Sequence, residues 1–378
     1  MNKLLAPENS LQRKIKICFF VGYFPNCSGG SEYQAYLLAN ALDPQKYEVF
    51  FISIGGNREG KYVIDGRKIF FLRTNNTLIK LGKYYFIYYI RIYKILYKER
   101  PQVIYQRIAN SATGLLSYLS KKLRFKFILA CASDPNVSKF RLSKFRHILA
   151  NFDDLLRIYG ISKAGTILVQ SNDQKRMLKE NFGRECYVVP NFHPKPENPI
   201  IKDKNSIKVT WVSNIKKLKQ PEIFIDLAKE FRNHSEVKFV MIGRPAGSMW
   251  QKYLEERIKK LDNLEYLREQ PNERINEILC RSHILVNTSK YEGFPNTFIQ
   301  AWMRKVPVVS LNVDPDNILK NRKIGFHSKS FDQMILHVKK LIVDKNIREE
   351  MGERAQKYAY DKHTMKNIET VFNVIREK

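Results

Sequence analysis

The chain has 378 residues, of which 44% are apolar, with 66 lysines and arginines against 37 aspartates and glutamates, a formal net charge of +29. That length exceeds one compact core and suits two domains of ordinary size, while the apolar share excludes disordered and fibrous classes. Such an excess of positive charge predicts anionic partners: nucleic acid, phosphorylated small molecules or an acidic membrane surface.

Met1 to Arg13 is polar and has no apolar h-region, so no secretory signal is expected. The first half alternates strands and helices. Strands are predicted near Lys16–Val21, Tyr47–Ile54, Val103–Gln106, Phe125–Ala130, Thr166–Gln170 and Cys186–Val189. Helices are predicted near Ser31–Ala41, Leu81–Tyr97, Ala112–Leu123, Leu142–Ile158 and Asp173–Asn181. The strands are short and apolar with few polar alternates, as parallel strands under helices are. Leu81–Tyr97 is Tyr- and Ile-rich but broken by Lys83, Arg91 and Lys94. It falls short of the roughly 18 apolar residues of a spanning helix. Two readings stay open for it: a core helix with an amphipathic face, or an interfacial helix whose basic residues meet lipid phosphates.

Pro190 to Pro199 carries four prolines in ten residues, which no helix or central strand tolerates, and is the linker candidate. Beyond it the alternation restarts: strand Ile207–Ser213, helix Pro221–Phe231, strand Val237–Ile242, helix Trp250–Leu261, strand Leu264–Tyr266, helix Asn272–Cys280, strand Ile284–Asn287, helix Asn296–Arg304, strand Pro307–Leu311, then two more helices. Two doubly wound sheets are expected, with ligands at the carboxyl ends of their strands and in a cleft between domains. The five cysteines (Cys18, Cys27, Cys131, Cys186, Cys280) are scattered without CxxC spacing. They argue against a disulfide framework or zinc site and for a reducing compartment.

Three stretches carry candidate chemistry. Gly29 and Gly30 precede the first helix, where small residues let backbone approach a phosphate; taken alone, these residues favour an ordinary strand-to-helix turn. After Val209–Ser213 come Asn214, Lys216, Lys217 and Lys219, then Pro221 at a helix start. These suit either a diphosphate site or a solvated basic loop. The most specific stretch is Ser289-Lys290-Tyr291-Glu292-Gly293-Phe294-Pro295-Asn296-Thr297, with Gln300 about one helical turn further on. Its carboxylate and amide suit sugar hydroxyls, and the first-turn amides near Asn296 and Thr297 suit an anion; Glu292 as a simple helix cap is the alternative.

YEGFPNTFIQAW, with WVSNIKKLKQPE and VMIGRP before it and VPVVS after it, resembles the retaining glycosyltransferases of family 4. In the first half FPNCSGGSE, VIYQRIA, TILVQSNDQKRMLKENFG and VVPNFHP look like the same family, so the resemblance runs from about Lys14 to Thr364. It implies an α/β GT-B fold of two Rossmann-like doubly wound domains facing across a cleft. The expected divisions are 1–190 for an acceptor-binding domain, 191–360 for a nucleotide-sugar-binding domain, and 361–378 for a C-terminal helix crossing back to the first. By resemblance, Glu292 binds donor-sugar hydroxyls, Gly293, Phe294, Pro295, Asn296 and Thr297 form the loop around donor sugar and diphosphate, and Lys219 neutralises the diphosphate. Gly29 and Gly30 match the first-domain phosphate loop. Three positions depart from the family: Gln300 stands in place of the second Glu, Asn214 in place of an Arg, and Ser133 near a His. Asp134, before Pro135, is a polar contact or a turn residue.

The activity implied is retaining hexosyl transfer from a nucleotide sugar, most simply a UDP-sugar, to a glycan or lipid-linked hydroxyl, with no metal required and no other cofactor. Asp314-Pro315-Asp316 has the form of an Asp-x-Asp metal site but reads as a turn and helix start. Bacterial cell-surface polysaccharide or lipopolysaccharide biosynthesis is the expected setting, in the cytoplasm, peripheral at an anionic membrane surface. The competing classes are a non-catalytic nucleotide-sugar binder, which the departures permit, and a nucleic-acid binder, against which stands the lack of any RNP, KH, zinc-finger or basic-zipper pattern.

Overall fold

The computed structural model describes residues 14–22, 29–54, 58–73, 85–139, 148–245, 247 and 249–377. The chain divides into two compact units, Met1–Cys131 with Lys139–Leu168, and Ala132–Ser138 with Val169–Lys378.

The first unit contains β1 (Ile15–Gly22), α1 (Gly30–Ala41), β2 (Tyr47–Ile54), β3 (Gly60–Ile64), β4 (Arg67–Leu72), α2 (Tyr89–Glu99), β5 (Val103–Arg107), α3 (Ser111–Leu123), β6 (Lys126–Ala130), α4 (Ile148–Lys163) and β7 (Thr166–Val169). The strands lie in the order β3-β4-β2-β1-β5-β6-β7. β1 pairs in parallel with β2 on one side and β5 on the other, placing Ile17 opposite Val49 and Val103. Ile17, Cys18 and Phe19 are fully buried, as a central strand covered on both faces requires.

The β3–β4 hairpin departs from the expected parallel order. β3 pairs antiparallel with β4, and the turn is Asp65-Gly66 with φ of 50° and 71°. Both values are left-handed, the geometry of a two-residue hairpin turn in which Asp-Gly is favoured. α3 and α4 cross at two glycines. A Cβ on Gly114 would stand 2.4 Å from the Leu156 carbonyl oxygen, and one on Gly160 would stand 2.4 Å from the Thr113 carbonyl carbon.

The helix expected over Leu81–Tyr97 begins, within the described residues, as a 3-10 turn Tyr85–Tyr88 that runs into α2. Ile92 and Leu96 are buried, whereas Ile87, Ile90 and Tyr97 are exposed. α2 thus joins the core on one side and presents apolar side chains on another. Tyr89, Tyr93 and Tyr97 stack in a row at 6.3 and 5.8 Å, with Lys122 over the Tyr93 ring.

The second unit contains α5 (Asn172–Phe182), β8 (Tyr187–Val188), β9 (Ile207–Val212), α6 (Pro221–Glu230), β10 (Val237–Ile242), α7 (Met249–Ile258), β11 (Leu264–Tyr266), α8 (Asn272–Cys280), β12 (Ile284–Asn287), α9 (Asn296–Trp302), β13 (Val308–Ser310), α10 (Ile318–Arg322), β14 (Gly325–His327), α11 (Phe331–Val343), α12 (Lys345–Lys362) and α13 (Asn367–Arg376). Beyond β13 there are therefore four helices and a strand where two helices were expected. α10 is a single short turn, and α11 and α12 are separate because Asp344 caps the second by accepting from the Ile347 amide at 2.9 Å.

The second sheet runs β11-β10-β9-β12-β13-β14, and its strand pairs are parallel. Chain order reverses at β9, which has β10 on one side and β12 on the other. Such a reversal opens a crevice at the carboxyl ends of the two central strands, where ligands bind in doubly wound sheets. The core beneath is aromatic: Trp211, Phe224 and Phe239 pack on one face, and Phe294, Phe298 and Trp302 on the other. Trp302 is fully buried, and truncating such a ring costs about 3–5 kcal/mol.

Candidate functional site

Two loops leave the β9/β12 crevice. The loop after β9 ends in a 3-10 turn, Lys217–Lys219, and the loop after β12 leads through Glu292 to α9. Hydrogen bonds tie the two together. Thr288 Oγ1 donates to the Lys219 carbonyl at 2.6 Å and accepts from Trp211 Nε1 at 2.9 Å. The Lys290 amide donates to the Leu218 carbonyl at 2.9 Å. Trp211 is itself buried in the core, so the position of Lys219 is referred directly to the sheet.

The Lys219 ammonium donates to Glu292 Oε1, and Ser289 Oγ donates to the same oxygen at 2.7 Å. Both charged side chains are mostly covered, 18% and 19% exposed. An ion pair that is screened from water on most sides is held more firmly than a surface pair. Lys219 and Glu292, both singled out for donor binding, therefore form one ion pair without net charge. Lys216 and Lys217 are exposed beside them, and Asn214 is half-buried between two backbone bonds, Ser213 N–H to the Ile242 carbonyl and Ile215 N–H to the Arg244 carbonyl.

The 132–138 turn packs against the same loop. Ser133 opens a 3-10 turn, Asp134–Val137, in which the Asn136 side chain accepts from the Ser133 amide at 3.2 Å. The Asp134 amide lies 3.4 Å from the Glu292 carbonyl oxygen, and Gln174 Nε2 donates to Asp134 Oδ1 at 3.1 Å. Burial pushes the Asp134 carboxyl up to about 6; Gln174 opposes the shift, and the negative charges of Asp173 and Glu292 add to it. Asp134 is thus both a turn residue and a titratable group beside Glu292.

Gly293 has no room for a side chain. A Cβ there would come within 2.6 Å of Gln170 Oε1 and Gln174 Nε2, and 2.8 Å of the Ala132 carbonyl oxygen. The Phe294 amide donates to Gln170 Oε1 at 2.9 Å, and its carbonyl accepts from Asn191 Nδ2 at 3.0 Å. Pro295 precedes α9, whose seven residues start at Asn296; His193 Nε2 lies 3.2 Å from Asn296 Oδ1, and Thr297 is half-buried. Gln300 is 4% exposed and donates through Nε2 to Asn276 Oδ1 of α8 at 3.1 Å. Its side chain is engaged with α8 rather than with Glu292.

Gly29 and Gly30 belong to the first unit. Gly29 is extended and caps α1, and its missing side chain makes space for the Glu32 carboxylate. The preceding residues 23–28 lie outside the described set. The carboxylates of the Asp-x-Asp stretch are engaged with helix starts. Asp316 accepts from the Asn172 and Asp173 amides at 3.0 and 2.8 Å, and Asp314 accepts from the Leu319 amide at 2.8 Å. This supports their reading as turn and cap residues.

Gln170, Gln174 and Asn191 lie within stretches that carry the resemblance, TILVQSNDQKRMLKENFG and VVPNFHP, yet no role was readable for them. Phe294, the partner of Gln170 and Asn191, is 124 residues from the first and 103 from the second, and Gln174 is 40 from its partner Asp134. Local sequence gives no signal for pairings at that separation.

The family model described as Glycosyl transferases group 1 matches residues 194–358, and that described as Glycosyltransferase Family 4 matches residues 28–193. The amylovoran biosynthesis glycosyltransferase AmsD of Erwinia amylovora is 24% identical over 343 residues, 88% of this chain and 92% of that protein. Glycosyltransferase 1 domain-containing protein 1 of Xenopus tropicalis is 21% identical over 155 residues, 40% of this chain and only 45% of that protein. Among solved structures, Anabaena HepE in complex with UDP and glucose superposes with a TM-score of 0.71 at 14% identity, covering 95% of this chain and 98% of that one.

Proposed function

The chain belongs to the group 1 glycosyltransferases, and from that premise we propose that it moves a hexose from a UDP-sugar to a hydroxyl of a glycan or lipid-linked acceptor, with retention at the anomeric carbon. The observation that carries this reading is the Lys219–Glu292 pair at the carboxyl ends of β9 and β12. In the structure the two charges satisfy each other. A bound diphosphate competes for the ammonium, leaving the carboxylate to accept from sugar hydroxyls.

Transfer breaks the bond between the anomeric carbon and the diphosphate oxygen and forms one to the acceptor oxygen on the same face. The acceptor proton passes to the departing phosphate. Lys219 stabilises the charge that grows on that phosphate, and Lys216 and Lys217 are close enough in sequence to share the task. With Asn214 and Gln300 both uncharged, Lys219 bears more of the work. Asp134 adds a sugar contact that accepts when ionised and donates when protonated. Neutralisation by lysine is the basis for expecting transfer without a metal; activity abolished by EDTA and restored by manganese would refute that.

The HepE complex supports UDP as the nucleotide, and AmsD supports a polysaccharide acceptor. The net charge of +29, with exposed Ile90 and Tyr97 on the lysine-bearing α2 and exposed Ile87 in the turn before it, supports peripheral binding to an anionic membrane. Among the described residues no helix is long and apolar enough to cross one. Co-sedimentation with anionic but not neutral liposomes, reduced by Ile90→Glu, tests this.

The functional reading is tested by thermal shift with UDP, GDP and ADP, followed by sugars on the stabilising nucleotide. Proton NMR of the product reads the anomeric configuration. Stabilisation by UDP with retained configuration is expected; no response to any nucleotide would refute the reading.

A further inference from the structure

Phe294 sits two residues past Glu292, and both of its backbone polar groups are claimed by side chains from outside the sheet that carries the crevice. Gln170 Oε1 accepts from the Phe294 amide at 2.9 Å, Gln170 Nε2 donates to Asn191 Oδ1 at 2.9 Å, and Asn191 Nδ2 donates to the Phe294 carbonyl at 3.0 Å. The ring is closed and its polarity is forced. An amide N–H needs an acceptor, which turns the Gln170 amino group toward Asn191 and leaves the Asn191 amino group for the carbonyl. Gln170 is 5% exposed and Asn191 is 2% exposed.

The ring is anchored behind. His363 Nδ1 lies 2.7 Å from the Asn191 carbonyl oxygen and must donate to it, since a carbonyl only accepts; the His193 amide donates to the His363 carbonyl at 3.0 Å. Burial keeps both imidazoles neutral, with values near 3 for His193 and 4 for His363. On the other side the Gln170 amide donates to Gln174 Oε1 at 2.9 Å, and Gln174 holds Asp134. Glu292, its loop and Asp134 are thus referred to the same buried amides.

We propose that Gln170 and Asn191 are positioning residues: their closed amide ring on Phe294 fixes the Glu292–Asn296 loop in its binding geometry. The proposal rests on the reading of that loop as the donor site, and it extends that reading to residues that touch no substrate.

Asn191→Asp is the discriminating variant because it keeps shape and changes only donor capacity. When ionised, the substituted side chain sets a carboxylate oxygen against the Phe294 carbonyl; when protonated, it donates there as the amide does. Hydrogen exchange on the full chain, corrected for intrinsic rates, should show residues 289–297 exchanging at least tenfold faster than in the parent at pH 8. The ratio should fall toward one at pH 5.5, while α11 is unchanged at both. Gln170→Glu, which also leaves the ring one donor short, should accelerate the same segment and covers the case in which Asn191→Asp does not fold. Parental exchange in that segment at pH 8, or equal acceleration at both pH values in Asn191→Asp, overturns the proposal. Where the parent transfers sugar, Asn191→Asp should lose at least tenfold in kcat at pH 8 and regain it toward pH 5.5. A parent that transfers from no donor refutes the donor reading alone, because the exchange result stands without it.

Discussion

Lys219 and Glu292 are 73 residues apart in sequence, and the ammonium of one bonds to the carboxylate of the other across the mouth of the β9/β12 crevice. Neither loop alone marks a site: a lysine turn and a glutamate before a short helix are each ordinary features. Their meeting follows from the strand order, which sets β12 beside β9.

Lys219→Ala is expected to lower kcat by about 100- to 1,000-fold, roughly 3–4 kcal/mol of transition-state stabilisation. Its thermal unfolding should stay close to the parent's, because the loop is also held by Thr288 Oγ1 on the Lys219 carbonyl, which the substitution leaves in place. Steady-state kinetics beside a melting curve check both halves; an unchanged kcat removes Lys219 from the chemistry.

Glu292→Gln separates sugar contact from phosphate contact. The amide still accepts from Ser289 but no longer holds the ammonium, so sugar transfer should fall at least tenfold in kcat/KM. UDP alone should bind as well as to the parent or a few times more tightly, because Lys219 is released. Weaker UDP binding by this variant would mean that the carboxylate organises the phosphate site.

Asp134 makes stability depend on pH in a defined direction. Its folded value, about 6, lies above the ordinary 3.8. Between those values the folded chain holds a proton that the unfolded chain has released. Stability from this group is therefore present below about pH 4, is lost as pH rises to about 6, and is flat above. Asp134→Asn keeps the bond from Gln174 and removes the loss, a gain on the order of 2–3 kcal/mol at pH 7. His193 and His363 act with the opposite sign, since burial lowers both and their contribution is lost as pH falls below 6.5. The difference in unfolding free energy between variant and parent from pH 4 to 7 isolates Asp134; a difference that does not grow with pH would contradict its burial-raised value.

Gly114→Ala places a methyl group 2.4 Å from the Leu156 carbonyl oxygen. Since α3 and α4 must separate to admit it, a loss of about 1–3 kcal/mol is expected in urea unfolding. Nucleotide binding per folded molecule should be unchanged.

The central strands were legible because Ile15–Gly22 and Ile284–Asn287 are short apolar runs bounded by loops. The β3–β4 hairpin was missed although Asp65-Gly66 is a hairpin dipeptide, because β3 is a short edge strand that is mostly exposed and so lacks the buried apolar run by which the other strands were read. Glu292 and Lys219 were readable through the family resemblance of the stretches that carry them, not from either loop's own chemistry. Gln300 was expected beside Glu292 on helical spacing and by its place in the family motif, and in the structure its amide meets Asn276. The amide ring on Phe294 was not readable, since three distant segments meet there through neutral side chains that leave no local pattern.

The claim on which the rest depends is that the β9/β12 crevice holds a nucleoside diphosphate through Lys219. Calorimetric titration with UDP of the parent and of Lys219→Ala tests it most directly. Saturable binding by the parent, weakened at least tenfold in the variant, is the expected result; equal affinity in the two would contradict it.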